Sequence, residues 1–122
     1  MILPSKELLS EVLGIIGVTD LKIRDNKLFY TSYNNPSISN WKSINIYELQ
    51  HRMKEWASMY GYDLYSYRFN QEVSYAYLDI EMNGFYRIDE KWGFSGTLLE
   101  EFEAQTEHEA VTQACEWVRS KR

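Results

Sequence analysis

The chain has one cysteine, two histidines and six glycines in 122 residues. Each scarcity removes a class of chemistry. Cys115 stands alone, so no intrachain disulfide can form, and a single thiol fits a reducing compartment. His51 and His108 have no Cys, His or carboxylate at the spacing of a known metal-ligand set. The pair His108-Glu109 begins like a zinc-protease helix, but Thr112 stands where the second histidine belongs. No glycine-rich phosphate loop is present, and no serine sits in a nucleophile elbow. No run of about 18 apolar residues occurs, so no transmembrane helix is expected. The start, Met1 to Glu7, lacks a basic stretch followed by an apolar one, so no signal peptide is expected. These absences describe a cytoplasmic protein that takes no metal or cofactor and does not engage a membrane.

Basic charge is also scarce where acids are dense. The net charge is −5. Between Asp79 and Glu109 nine acids face only Arg87 and Lys91, a net of −7 that leaves +2 for the rest of the chain. Direct nucleic-acid binding needs a basic footprint and is not expected. The plain reading of such a segment is a solvated face that confers solubility. The sharper reading is a surface for a basic protein.

What the chain has in excess is aromatic side chains. Twelve of them fall between Trp56 and Phe94, against seven in all the remaining positions. Many stand at every second position, a spacing that builds β-sheet. Aromatic residues also dominate recognition surfaces.

At 122 residues the expectation is one domain. Pro4 to Gly14 reads as a helix with Leu8, Leu9, Val12 and Leu13 on one stripe, Ser5 or Pro4 at its start and Gly14 as a left-handed terminator. Val18 to Tyr33 reads as a hairpin turning at Asp25-Asn26. That turn pairs Arg24 with Lys27, Ile23 with Leu28 and Leu21 with Tyr30, so the apolar residues share a face. Asn34 to Ser43 reads as a loop whose Ile38 and Trp41 either dock on the core or belong to a binding loop. Asn45 to Tyr60 is a helix with an Asn45/Glu48 capping box, an Ile44/Leu49 staple and a stripe of Ile46, Leu49, Met53, Trp56 and Tyr60. Gly61 ends it.

Tyr62 to Phe69 and Val73 to Met82 alternate as strands around a turn at Asn70-Gln71-Glu72. Asn83-Gly84 predicts a further hairpin with a return strand near Phe85 to Asp89. Leu98 to Ala104 suits a helix or an edge strand, with the strand preferred. Thr106 to Lys121 is a closing helix with a Thr106/Glu109 capping box and a stripe of Ala110, Val111, Ala114, Trp117 and Val118. The fold class is α+β: an antiparallel sheet with helices packed against it, in the order α-β-β-α-β-β(-β)-α.

Three groups carry candidate chemistry. Cys115, beside an apolar stripe, reads as a small buried hydrophobe rather than a nucleophile. Asp79 and Glu81, with Asp89-Glu90-Lys91 nearby, invoke a metal-dependent nuclease, but its usual Glu-x-Lys spacing is missing. No catalytic residue or metal ligand is assigned. Tyr65, Tyr67 and Phe69, with Tyr75 and Tyr77, form one cross-strand aromatic face. An alternating strand normally buries one side, so helices are expected to cover these rings. The competing reading is a tyrosine platform grading into acids, suited to protein recognition. The binding residues of that reading are Tyr65, Tyr67, Tyr75, Tyr77, Asp79, Glu81, Glu100, Glu101 and Glu103. The expected partner is a protein, and an exposed tyrosine-rich edge would favour a homodimer.

A short strand at Phe102-Glu103-Ala104, a Thr106 cap, Glu107-x-Glu109-Ala110 and a helix carrying Ala114 and Trp117 look like the end of many small phage and prophage proteins. Ile44 to Leu49 and Lys54 to Ala57 share that character. From Asn45 to the end the chain resembles the phage ABA-sandwich domain. The resemblance implies an αββα sandwich and carries over no functional residue. The activity of that family is unknown. With none of the usual catalytic constellations present, the expectation is a small non-enzymatic accessory protein of a phage or mobile element that acts by protein–protein contact, its acidic and aromatic surface inhibiting a host nucleic-acid-binding protein. The alternative is a small enzyme whose site no motif reveals.

Overall fold

The structure, a computed structural model, describes residues 2–33, 41–80 and 98–121. It opens with α1 (Lys6–Leu13), capped by the Ser5 hydroxyl, which accepts from the Leu8 amide, and ended by Gly14 at φ 66°. Strands β1 (Val18–Arg24) and β2 (Lys27–Ser32) follow as the expected hairpin. Asp25 and Asn26 both adopt positive φ, and the register pairs Arg24 with Lys27, Ile23 with Leu28 and Leu21 with Tyr30.

Beyond this hairpin, one boundary moves. Lys42 and Ser43, read as the end of a loop, belong to a short strand β3 (Lys42–Asn45) paired antiparallel to β2. Only Ile44 of the four is buried, so the segment is too short and too polar to announce itself as a strand. It runs straight into α2 (Ile46–Met59). Asn45 caps that helix through the Tyr47 amide at 2.8 Å, while Glu48 turns to Arg52 at 3.5 Å. The Ile46 amide donates to the Asn26 carbonyl at 2.9 Å, tying the hairpin turn to the helix start.

After Gly61 (φ 88°) come β4 (Tyr62–Arg68), β5 (Ser74–Ile80), β6 (Leu98–Ala104) and α3 (Glu107–Lys121). The ambiguous segment at Leu98 is thus a strand. The sheet is divided in two: β1-β2-β3 and β4-β5-β6, both antiparallel. The division follows from α2, which takes the chain away from the first sheet before β4 begins. The class and the order of the expected elements are those read from the sequence, with β3 added. The Asn83-Gly84 hairpin and its return strand lie outside the described residues, as do Glu81, Asp89-Glu90-Lys91 and Ile38.

One cluster forms the core. It joins Leu8 and Leu9 of α1 and Leu28 and Ile44 of the first sheet to Leu49, Met53 and Trp56 of α2. Leu64 and Leu78 of the second sheet and Val111, Ala114 and Val118 of α3 complete it. Tyr60, expected to end the α2 stripe inside, is exposed and sets its ring edge-on to Trp56 at 5.0 Å. Trp41 lies outside the core too. Its ring sits 4.5 Å from the Lys22 ammonium, which also lies over Phe29. Lys22 and Phe29 pair directly across the hairpin, one position out of step with the buried residues, so Trp41 covers the outer face of the first sheet.

The amino-terminal segment is fastened along α3. Glu109, 7% exposed, accepts from the Ile2 amide and from the Thr106 hydroxyl, at 2.7 and 2.6 Å. Seven residues on, Glu116 accepts from the Ser5 amide at 2.7 Å. Two helical turns thus place both carboxylates against the incoming chain.

Candidate functional site

The β4-β5-β6 sheet has two unlike faces. Strand alternation sends Leu64, Ser66, Ala76, Leu78, Phe102 and Ala104 toward α2 and α3. It sends Asp63, Tyr65, Tyr67, Tyr75, Tyr77, Asp79, Glu101 and Glu103 the other way. Leu64, Ser74, Ala76 and Leu78 are buried, whereas Tyr65, Tyr67 and Phe69 are 46%, 44% and 65% exposed. The expectation that helices cover the tyrosines is therefore overturned. The cause is side-chain volume. Ala76, Ser74, Ala110 and Ala114 are all fully buried, and small residues on both sides let α3 lie close to the sheet. Rings of tyrosine size would hold it off.

Register arranges the outer face in rows. Tyr65 stands opposite Tyr77, and Tyr77 opposite Glu101; Tyr67 stands opposite Tyr75, and Tyr75 opposite Glu103. Aromatics thus give way to acids across the strands as well as along them, where Asp63 faces Asp79. The rings pack on one another. Tyr67 lies 5.5 Å from Tyr75 and 5.9 Å from Tyr77 between ring centres, and Phe69 sets its edge against Tyr75. The Tyr67 and Tyr77 hydroxyls share a hydrogen bond of 3.2 Å. That bond, with partial burial and the nearby Glu101, pushes the Tyr77 phenol up to about 12. Partial burial, then Glu103, raises Tyr75 as well. The Tyr75 and Tyr77 phenols therefore stay neutral at neutral pH, and the charge of the face comes from its carboxylates.

Seven of the nine sequence-derived binding residues meet on this face: Tyr65, Tyr67, Tyr75, Tyr77, Asp79, Glu101 and Glu103. Glu100 does not. It pairs with Leu78 and so points to the helix-covered side, although it is exposed at the rim. Glu81 lies outside the described residues. Asp63 belongs to the face and was missed, although its place two residues before Tyr65 was signal enough.

A second feature lies at the end of the opposite face. A cleft of about 270 Å³ opens between the hairpin turn, the start of α2, the β4–β5 turn and the first turn of α3. Gln50, Arg68, Ser74, Glu107 and His108 line it. Ser74 is fully buried, and its hydroxyl is the one buried side-chain polar atom among the described residues with no hydrogen-bond partner. With no base bonded to it, it is not an assembled nucleophile. His108 is held below the ordinary histidine value by burial, against an opposing pull from Glu109.

The other candidates settle simply. His51 pairs with Glu55 at 2.9 Å on the exposed side of α2. Cys115 is buried and donates to the Met53 carbonyl, and burial drives its thiol far above the ordinary range, leaving no thiolate to react. Among the described residues no three of His, Cys, Asp and Glu gather where a metal ion could sit, and no helix is long and apolar enough to cross a membrane.

The fold and this face define a class of protein: an α+β domain that presents an uncovered tyrosine and carboxylate sheet. Compared with models of known protein families, with curated proteins and with solved structures, the chain matches none.

Proposed function

We infer that the chain is a non-enzymatic binding protein whose outer β4-β5-β6 face takes a basic surface on a protein partner. The observation that carries this reading is the row register of that face, which sets the half-buried rings of Tyr77 and Tyr75 directly beside Glu101 and Glu103, with the exposed rings of Tyr65 and Tyr67 in the next strand. Arginine and lysine side chains are recognised by both elements at once, through cation–π contact with the rings and charge-assisted hydrogen bonds to the carboxylates. Basic protein surfaces of this kind are those that otherwise hold nucleic acid. The reading therefore extends to a small phage or mobile-element accessory protein that blocks a host nucleic-acid-binding protein by occupying its basic site.

The test is titration with an arginine-rich peptide, followed by shifts of backbone amide resonances. Shifts confined to β4, β5 and β6, saturating and weakening with added salt, are expected. The double variant Glu101→Lys, Glu103→Lys should weaken binding by about tenfold or more. Glu100→Lys, on the other side of β6, should bind like the unaltered protein. Binding insensitive to salt, or lost equally in Glu100→Lys, would reject the reading.

A further inference from the structure

We propose that the cleft at the first turn of α3 binds a small zwitterion of the α-amino-acid class. It holds one charged group of each sign, Arg68 and Glu107. Ser66 and Arg68 lie two residues apart on the same face of β4, about 6.6 Å along the strand. Glu107 is anchored beside them by the Ser66 hydroxyl, which donates to its Oε2 at 2.5 Å. Its Oε1 is left to accept from an ammonium. Arg68 spends its Nε on the Asn70 carbonyl at 3.1 Å, which steadies the guanidinium. Its terminal nitrogens make no bond among the described residues and are left for a carboxylate, in the fork geometry that arginine supplies.

The amide end of α3, a helix of 15 residues, favours the same carboxylate. A helix end alone would mean little; Ser74 adds the second observation. A hydroxyl that is fully buried with no partner is destabilising where it stands, and Ser74 is a lining residue of the cleft. A bound carboxylate oxygen would relieve it. The volume suits a ligand of that size, since a water occupies about 30 Å³. Gln50 and Gln71 supply uncharged amides for the rest of the molecule. This site faces away from the tyrosine surface, because Ser74 and Tyr75 point to opposite sides of β5. It therefore stands or falls separately from the function inferred above.

The experiment is calorimetric titration of the intact protein with each common α-amino acid. The tightest binder is then tested in its N-acetylated and carboxyl-amidated forms, with inorganic phosphate alongside. At least one amino acid should bind, and blocking either charge should weaken it about tenfold or more. Ser74→Ala should raise the melting temperature of the free protein, because it deletes an unsatisfied hydroxyl, while weakening binding about tenfold. Arg68→Gln, at an exposed position, should do the same to binding, and Glu103→Lys should leave it unchanged. No binding by any amino acid, equal binding of the blocked forms or of phosphate alone, or full binding in Arg68→Gln would overturn the proposal.

Discussion

The two faces of the β4-β5-β6 sheet invert the usual distribution of side-chain size. The covered face carries alanine, serine and leucine, and the solvent face carries four tyrosines. Apolar content alone would have put the rings inside. The difference shows that distance of approach decides which face a helix takes. Ala76 on β5 with Ala110 and Ala114 on α3 allow close packing, and dispersion contacts grow with that closeness. The rings are left outside, where they stack on one another and stay available to a partner.

The largest effect expected from breaking this comparison is on stability. Leu78 is fully buried on the covered face, so Leu78→Ala should lower the unfolding free energy by about 2–5 kcal/mol. On the solvent face, Tyr67→Ala removes more atoms but only cross-strand ring contacts, and should cost about 1 kcal/mol or less. Urea denaturation of both variants measures the contrast. Equal losses would mean that the outer rings are a second core and not a surface.

A smaller effect should follow from loosening the covered face at its edge. Burial works to raise the Glu109 carboxyl, but the Thr106 hydroxyl, the Ile2 amide and His108 together outweigh it and hold the group below its ordinary 4.5. A carboxyl depressed in the folded state stabilises the fold above its unfolded value, and that contribution is lost as pH falls through the folded one. The melting temperature should therefore drop as pH is lowered below about 4.5. Glu109→Gln should cost about 1–3 kcal/mol at neutral pH and flatten that acid limb. An unchanged acid limb in the variant would show that other carboxylates carry it.

What the sequence disclosed depended on how local the cause was. The Asp25-Asn26 turn was legible because turn chemistry and apolar alternation agreed on one register. The Asn45 and Thr106 caps were legible because they act within three residues. Glu109 was half legible: its bond to Thr106 follows from spacing, but its hold on Ile2 spans 107 positions. Alternation identified the two faces of β4 and β5 without saying which is covered, since that depends on the volumes brought by α3. The misplacement of Glu100 has a similar origin, because a run of three glutamates in four residues reads as one patch until the strand divides it. The cleft was not legible at all. Gln50, Arg68, Ser74 and Glu107 come from four elements and carry no common motif.

The smallest effect is the most specific to the outer face. The Tyr77 phenol is raised first by its bond to the Tyr67 hydroxyl, then by partial burial and by nearby charge. Tyr67→Phe deletes that bond and leaves the ring stack in place. Ultraviolet titration of tyrosinate should show one group ionising near 12 in the unaltered protein, and that group should move back toward 10 in the variant. A raised phenol pKa favours the folded state below the unfolded value of 10.0, and the contribution is lost as pH rises toward about 12. The unaltered protein should therefore hold a stability advantage over Tyr67→Phe below pH 10.0, and their melting temperatures should converge as pH rises toward about 12. If the titration curves coincide, the two hydroxyls do not share a proton and the rings of the outer face are not ordered as a unit.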